Sequence, residues 1–102
     1  MQDSISSEKF YIVRTYSAGV FAGKIVKKEG NEVEMTCARR IWYLGGAASL
    51  SELATRGTCK PSECKFPVEV DKVILMNVIE ILECTTSARK SIESVPVWSA
   101  TS

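Results

Sequence analysis

The chain has no histidine among its 102 residues. That removes the commonest general base at neutral pH, and the serine- and cysteine-nucleophile triads that rest on one. Catalysis would fall to carboxylates, lysine or tyrosine. The acidic residues are scattered, and no pair has a spacing that suggests general acid and base partners. The sequence therefore reads as a non-enzyme. Closely paired cysteines are lacking too. Cys37, Cys59, Cys64 and Cys84 are unevenly spaced, and even the nearest two have four residues between them. Zinc sites of four cysteines usually need two close pairs, and mixed sites need histidine. The expectation is reduced, mostly buried thiols, with no metal and no cofactor. Charge of one sign is also missing: 13 Lys and Arg against 12 Asp and Glu leave +1. General attraction to nucleic acid or a membrane surface is not expected, so any electrostatic site must be a local cluster. No run approaches the roughly 20 apolar residues of a membrane span. The first ten residues, MQDSISSEKF, hold no apolar signal core. The expected location is the cytosol.

What the chain does contain is strand pattern. One domain is expected, with residues 1–8 a loose tail and 9–102 the folded unit. Phe10, Ile12 and Arg14 alternate with Tyr11, Val13 and Thr15, and Val20 to Lys28 resumes the pattern after Ser17-Ala18-Gly19. Glu29-Gly30-Asn31 is a turn signal. Glu32 to Cys37 follows as a third strand, with Val33 and Met35 on one face. Lys27 and Lys28 can then face Glu32 and Glu34 across the hairpin. Ala38 to Leu44 reads as a fourth strand, ended by Gly45-Gly46. Ser49-Leu50-Ser51-Glu52 is a capping box that opens a short helix, and Gly57 is a suitable stop. Phe66 to Asp71 alternates as an edge strand. Val73 to Leu82 is apolar on both faces over its first half and reads as one strand, covered by helices on one side and by a second layer or a partner on the other. Thr85-Thr86-Ser87 starts a second helix over Ala88 to Ser94, and Val95 to Trp98 is extended. The fold expected is α+β: a single bent antiparallel sheet of about six strands with two short helices.

Four features can carry binding chemistry. The stretch from Ala38 to Leu53 holds Arg39, Arg40, Trp42 and Tyr43 beside a diglycine and a helix start. Strand alternation puts Arg40 with Trp42 and Arg39 with Tyr43. An arginine beside a ring can stack a base and hold a phosphate, or be the rim of a core tryptophan. Arg14 shares the face of Phe10 and Ile12, where it either meets a buried carboxylate or lines a pocket. Arg89 and Lys90 fall in the expected first turn of the second helix. There they oppose the macrodipole unless an anion arrives, or else pair with Glu80, Glu83 or Glu93. The glycines of Ser17 to Gly23 lie between strands, so they read as a turn at Gly19 and a bulge or close approach at Gly23.

The runs VRTYSAGVFAGKI, ARRIWYLGGAASLSELATRG, CKFPVEV and VPVW together resemble a family of small proteins of tailed phages and prophages. That family's pattern is a VRTxSAGV start, an ARRIWYWxGAASLSQLA centre and a C-terminal VPxW. Leu44 departs from it, standing where a second aromatic is usual, so a stacking surface at that position is not expected here. The chain is also similar to Thoeris anti-defence sponges, among the phage proteins that bind and sequester nucleotide immune signals such as cyclic ADP-ribose isomers and cyclic dinucleotides. The resemblance implies a sponge for a cyclic nucleotide, without cleavage, acting as a homo-oligomer in the cytoplasm of the infected host. It implies ligand contacts at Arg14, Arg39 or Arg40, Trp42, Phe66, Arg89 and Lys90, with Trp42 or Phe66 stacking on the base. The alternative is a structural or protein-interaction component of the virion or its assembly. A nucleic-acid-binding module is less favoured, because the net charge is near zero.

Overall fold

The computed structural model describes residues 8–99. The expected tail therefore lies, apart from Glu8, outside the described residues. In chain order the elements are β1 (Tyr11–Thr15), β2 (Val20–Glu29), β3 (Glu32–Arg40), α1 (Leu50–Arg56), a 3-10 turn (Pro61–Glu63), β4 (Val70–Leu75), β5 (Val78–Glu83) and α2 (Thr86–Glu93). The fold is α+β, with one antiparallel sheet of order β4-β3-β2-β1-β5 and two helices.

The strand count is five rather than six. The expected third and fourth strands are one, β3, which runs through Cys37 to Arg40. The apolar run Val73 to Leu82 is two strands, broken at Met76 and Asn77, where Asn77 takes a left-handed φ of 58°. Phe66 and Val97 keep only a single parallel bridge to each other outside the sheet.

The break at Asn77 explains the shape. β4 and β5 are consecutive in the chain but lie at opposite edges of the sheet. In a flat sheet those edges would be roughly 19 Å apart, four spacings of about 4.8 Å. Two residues bridge Leu75 to Val78, a reach of at most roughly 11 Å at about 3.8 Å per step. The sheet must curl until its edges approach. The Val78 amide donates to Asn31 O and the Tyr16 amide to Asn77 O, each at 2.9 Å, fastening the β4–β5 turn to the hairpin ends.

Curling lets the sheet bury apolar side chains on both faces, one inside the curl and one beneath the helices. Tyr11, Val13, Phe21, Ile25, Val33 and Met35 pack in one cluster to which no helix contributes, and the curl itself encloses it. Their neighbours Phe10, Ile12 and Ala22 point outward beneath Leu53 and Ala54 of α1 and Ala88 and Ile92 of α2. Both helices have the expected hydroxyl caps. Ser49 Oγ accepts from the Glu52 amide at 3.1 Å, while Glu52 reaches back to the Ala48 amide at 2.7 Å. Thr85 Oγ1 accepts from the Ala88 amide at 3.0 Å. Lys27 lies opposite Glu34, as the hairpin pattern predicts, but the Glu34 carboxylate is also 3.5 Å from Lys72 on β4.

One irregularity directs the site. The pairing steps from Ala22↔Arg39 to Lys24↔Thr36, so β3 carries an extra residue opposite Gly23. Cys37 takes it up with a φ of 52°. A β-carbon on Gly23 would stand 2.8 Å from Ala38 Cα, so the bulge needs glycine there. The extra residue shifts the alternation by one. Val33 and Met35 point inward, but beyond the bulge it is Ala38 that joins them. Arg39 is thereby turned out into the helix layer.

Candidate functional site

Arg39 is 6% exposed, and its guanidinium makes five hydrogen bonds to backbone carbonyls. Nε donates to Pro67 O at 3.2 Å. Nη1 donates to Ile92 O at 3.2 Å and Val95 O at 2.8 Å. Nη2 donates to Phe66 O at 2.7 Å and Pro96 O at 3.2 Å. A guanidinium has five N–H donors, so all are used. Burial lowers the pKa of this group, with Glu69 pulling the other way. The ring of Phe66 lies 5.5 Å from the guanidinium carbon and is fully buried. Neither residue has a group left for a ligand. The expectation that Arg39 or Phe66 touches one gives way: the first has no free donor and the second no open face.

Three extended segments meet around this guanidinium. β3 leads from Arg39 into Trp42 and Tyr43, whose amides donate to Lys65 O at 3.0 and 3.2 Å. Lys65 returns its own amide to Tyr43 O at 2.8 Å. On the other side of Lys65 and Phe66 runs the segment after α2, held by the Trp98 amide on Phe66 O at 3.1 Å. The outcome is a ring cluster on the surface. Trp42 and Trp98 stack with centroids 6.3 Å apart and planes 9° off parallel. Lys65 Nζ stands 5.5 Å from the Trp98 ring centroid and 5.9 Å from that of Tyr43. Trp42 is 63% exposed, Tyr43 56% and Trp98 40%. Rings offered to water around a cation form a platform for a planar or anionic partner.

The other expected contacts do not join it. Strand alternation would give Arg40 and Trp42 one face, but the strand ends at Arg40. The Arg40 guanidinium instead covers Phe21 at 4.5 Å and donates to Ala18 O at 3.0 Å, bracing the β1–β2 turn. Arg14 is exposed and pairs with Glu80 on β5 at 2.9 Å, directly across the ladder. Arg89 and Lys90 are not in the first turn of α2. The helix begins at Thr86, which makes them its fourth and fifth residues. Arg89 pairs with Glu93 at 3.0 Å and lies over Phe10 at 5.1 Å. It also lines a cavity of about 220 Å³ with Lys9 and Glu83, themselves paired at 3.0 Å. Of the seven expected residues, Trp42 alone reaches the platform.

The chain belongs to the DUF6948 family. The family model, described as a domain of unknown function, matches residues 8–92. No curated protein and no solved structure matches the chain. The span matched to DUF6948 carries Arg39, Trp42, Tyr43 and Lys65, while the segment with Trp98 follows it. No described helix of this DUF6948 chain is long and apolar enough to cross a membrane.

Tyr43, Lys65 and Trp98 are not among the expected contacts. The signal for Trp98 is the VPVW run, a tryptophan beyond the last helix. Lys65 has none, because its value comes from rings more than 20 positions away on either side.

The thiols sort by burial. Cys59 is exposed and Cys37 half-buried, whereas Cys64 and Cys84 are buried. Burial, with Glu83 beside it, pushes the Cys84 thiol up to about 12. Cys64 donates to Gly45 O at 3.2 Å. Among the described residues no three Cys, Asp or Glu side chains are grouped to hold a metal ion. Since the thiolate is the reactive form, iodoacetamide should modify native protein first at Cys59. Cys84 should stay unmodified until the protein unfolds. Peptide mapping by mass spectrometry checks this order, and early labelling of Cys84 would contradict the packing.

Proposed function

We propose that this chain is a non-catalytic phage sponge, which holds a cyclic nucleotide immune signal of the infected bacterium and leaves it intact. The observation that carries this reading is the solvent-facing cluster of Trp42, Trp98 and Tyr43 around the Lys65 ammonium. A nucleotide offers what those groups bind: a base with a flat π-face, and phosphate oxygens for a cation. The base lies on the tryptophan rings and a phosphate meets Lys65. The protein works in the host cytoplasm as a homo-oligomer, in which a second copy closes over the open platform.

A thermal-shift panel of cyclic ADP-ribose isomers and cyclic dinucleotides tests this, because a ligand of the native state raises its apparent stability with concentration. One of them should raise the melting temperature and be recovered unchanged after heat release. Recovery of linear product alone, or no shift across the panel, would sink the reading. Trp42→Ala and Trp98→Ala should each weaken the ligand by about 1–3 kcal/mol, the worth of a stacked base. That is roughly 5- to 150-fold in Kd. Titration calorimetry reads the loss.

The alternative, a virion or assembly component, is favoured by the side chains around the β4–β5 turn. Ile74, Met76 and Ile79 are 47%, 64% and 52% exposed, an apolar surface suited to a protein partner. It predicts that the protein co-purifies with phage particles and that no nucleotide shifts its melting.

A further inference from the structure

We infer that Arg39 is the positioning residue of the aromatic platform, acting from beneath it; the functional side of this inference rests on the binding reading above. The platform is assembled from three segments that are far apart in the chain. One carries Trp42 and Tyr43, one Lys65, and one Trp98. No regular strand ladder joins them: the pairings are the isolated bridges Tyr43↔Lys65 and Phe66↔Val97. Isolated bridges leave short segments free to slide or lift.

What all three share is the Arg39 guanidinium. The first segment is its own chain, three residues on. The second is bound through Phe66 O and Pro67 O, the carbonyls just after Lys65. The third is bound through Val95 O and Pro96 O, three and two residues before Trp98. A planar fork with five donors can hold two segments in fixed register to a third, because each donor has a set direction. A lysine ammonium, a single point with three donors, cannot reproduce that geometry. The Trp98 amide on Phe66 O completes the link, so the second and third segments move as one piece. The stacking of Trp42 on Trp98, and the place of Lys65 beside Trp98, follow from where this buried cation sets the two segments.

The stacked tryptophans supply the readout. Two indoles at this distance couple their transitions, and the exciton couplet in circular dichroism varies with the in-plane angle between the two transition moments, so a shift of either ring changes it. Trp98→Phe sets the baseline, since it removes one partner and leaves Arg39 in place. Arg39→Lys is expected to keep a cooperative thermal transition, lose the couplet to the Trp98→Phe level, and lose the nucleotide shift. A folded Arg39→Lys protein with its couplet intact would overturn the inference. Should that variant not fold, or should the wild-type spectrum not differ from that of Trp98→Phe, wild-type hydrogen exchange decides. The Trp98 amide and the Arg39 Nε–H should exchange through one shared opening, with the same denaturant dependence. Exchange of Trp98 by a separate, easier opening while Arg39 stays protected would overturn it. If wild-type protein binds no nucleotide, the binding reading falls, and the couplet and exchange results still judge the positioning role.

Discussion

Arg39→Met is expected to destabilise the domain by about 3–5 kcal/mol, since leaving a buried carbonyl without its donor costs about 1–3 kcal/mol each and Arg39 is the donor to several. Two effects oppose each other here. Losing a buried cation relieves its desolvation, which is the burden that lowers the Arg39 pKa. Against that, five charge-assisted hydrogen bonds vanish, and hydrogen bonds to a charged group are worth about 1.5–3 kcal/mol each. The acceptors are backbone carbonyls, so no compensating substitution removes them. Phe66 O keeps the Trp98 amide and Ile92 O keeps the Val95 amide, which limits the loss. Pro96 is exposed, so its carbonyl can find water. The destabilising side still wins, because methionine leaves the deepest acceptors without the donor that joined them. A domain of this size has about 5–15 kcal/mol in all. At about 4–8 °C per kcal/mol, the melting temperature should fall by more than roughly 12 °C. Thermal denaturation followed by circular dichroism checks it. A fall of less than about 4 °C would mean that the carbonyl network contributes little.

Why Arg39 and not Arg40 takes this role is not legible in the Arg-Arg pair. Strict alternation from Val33 and Met35 would point Arg39 into the curl, with the inner cluster. The bulge at Cys37 reverses that, and its one trace in the sequence is Gly23 on the facing strand. A glycine at that position predicts either a bulge or a close approach, and both are present. It does not say which of the facing residues is extra.

Features set by neighbours in sequence were legible. The two capping hydroxyls, the Glu29-Gly30-Asn31 turn and the alternation of β1 each depend on residues a few positions apart. A bent sheet was expected, but the pairing that curls it was not legible, because it joins β5 to β1 across more than 60 positions. Its local cause, Asn77, is a single polar residue within an apolar run and does not look like a turn. The sequence pattern sets the start of the second helix at Ala88, two residues beyond its place at Thr86. That displacement alone moves Arg89 and Lys90 into the first turn and makes an anion site out of a salt-bridged helix face. The platform suffers most, since its parts come from three distant segments joined through a buried side chain.

Phe66→Ala separates the two meanings that an aromatic residue can have here. As a ligand contact, its truncation would weaken binding and leave stability alone. As a fully buried ring beneath a buried guanidinium, it should do the reverse. Removing a buried phenylalanine costs about 3–5 kcal/mol, from lost transfer energy and the cavity left behind. The melting temperature should drop by roughly 12–40 °C. Trp98→Ala, by contrast, removes a ring already 40% exposed, so its effect on melting should be much the smaller. The comparison is sharp because Phe66 and Trp98 are joined by one hydrogen bond and carry the same class of side chain. One faces the guanidinium and the other faces solvent. Melting curves of the two variants, with titration of the best ligand from the panel, make the test. Phe66→Ala with an unchanged melting temperature would return Phe66 to the binding surface and refute the packing described above.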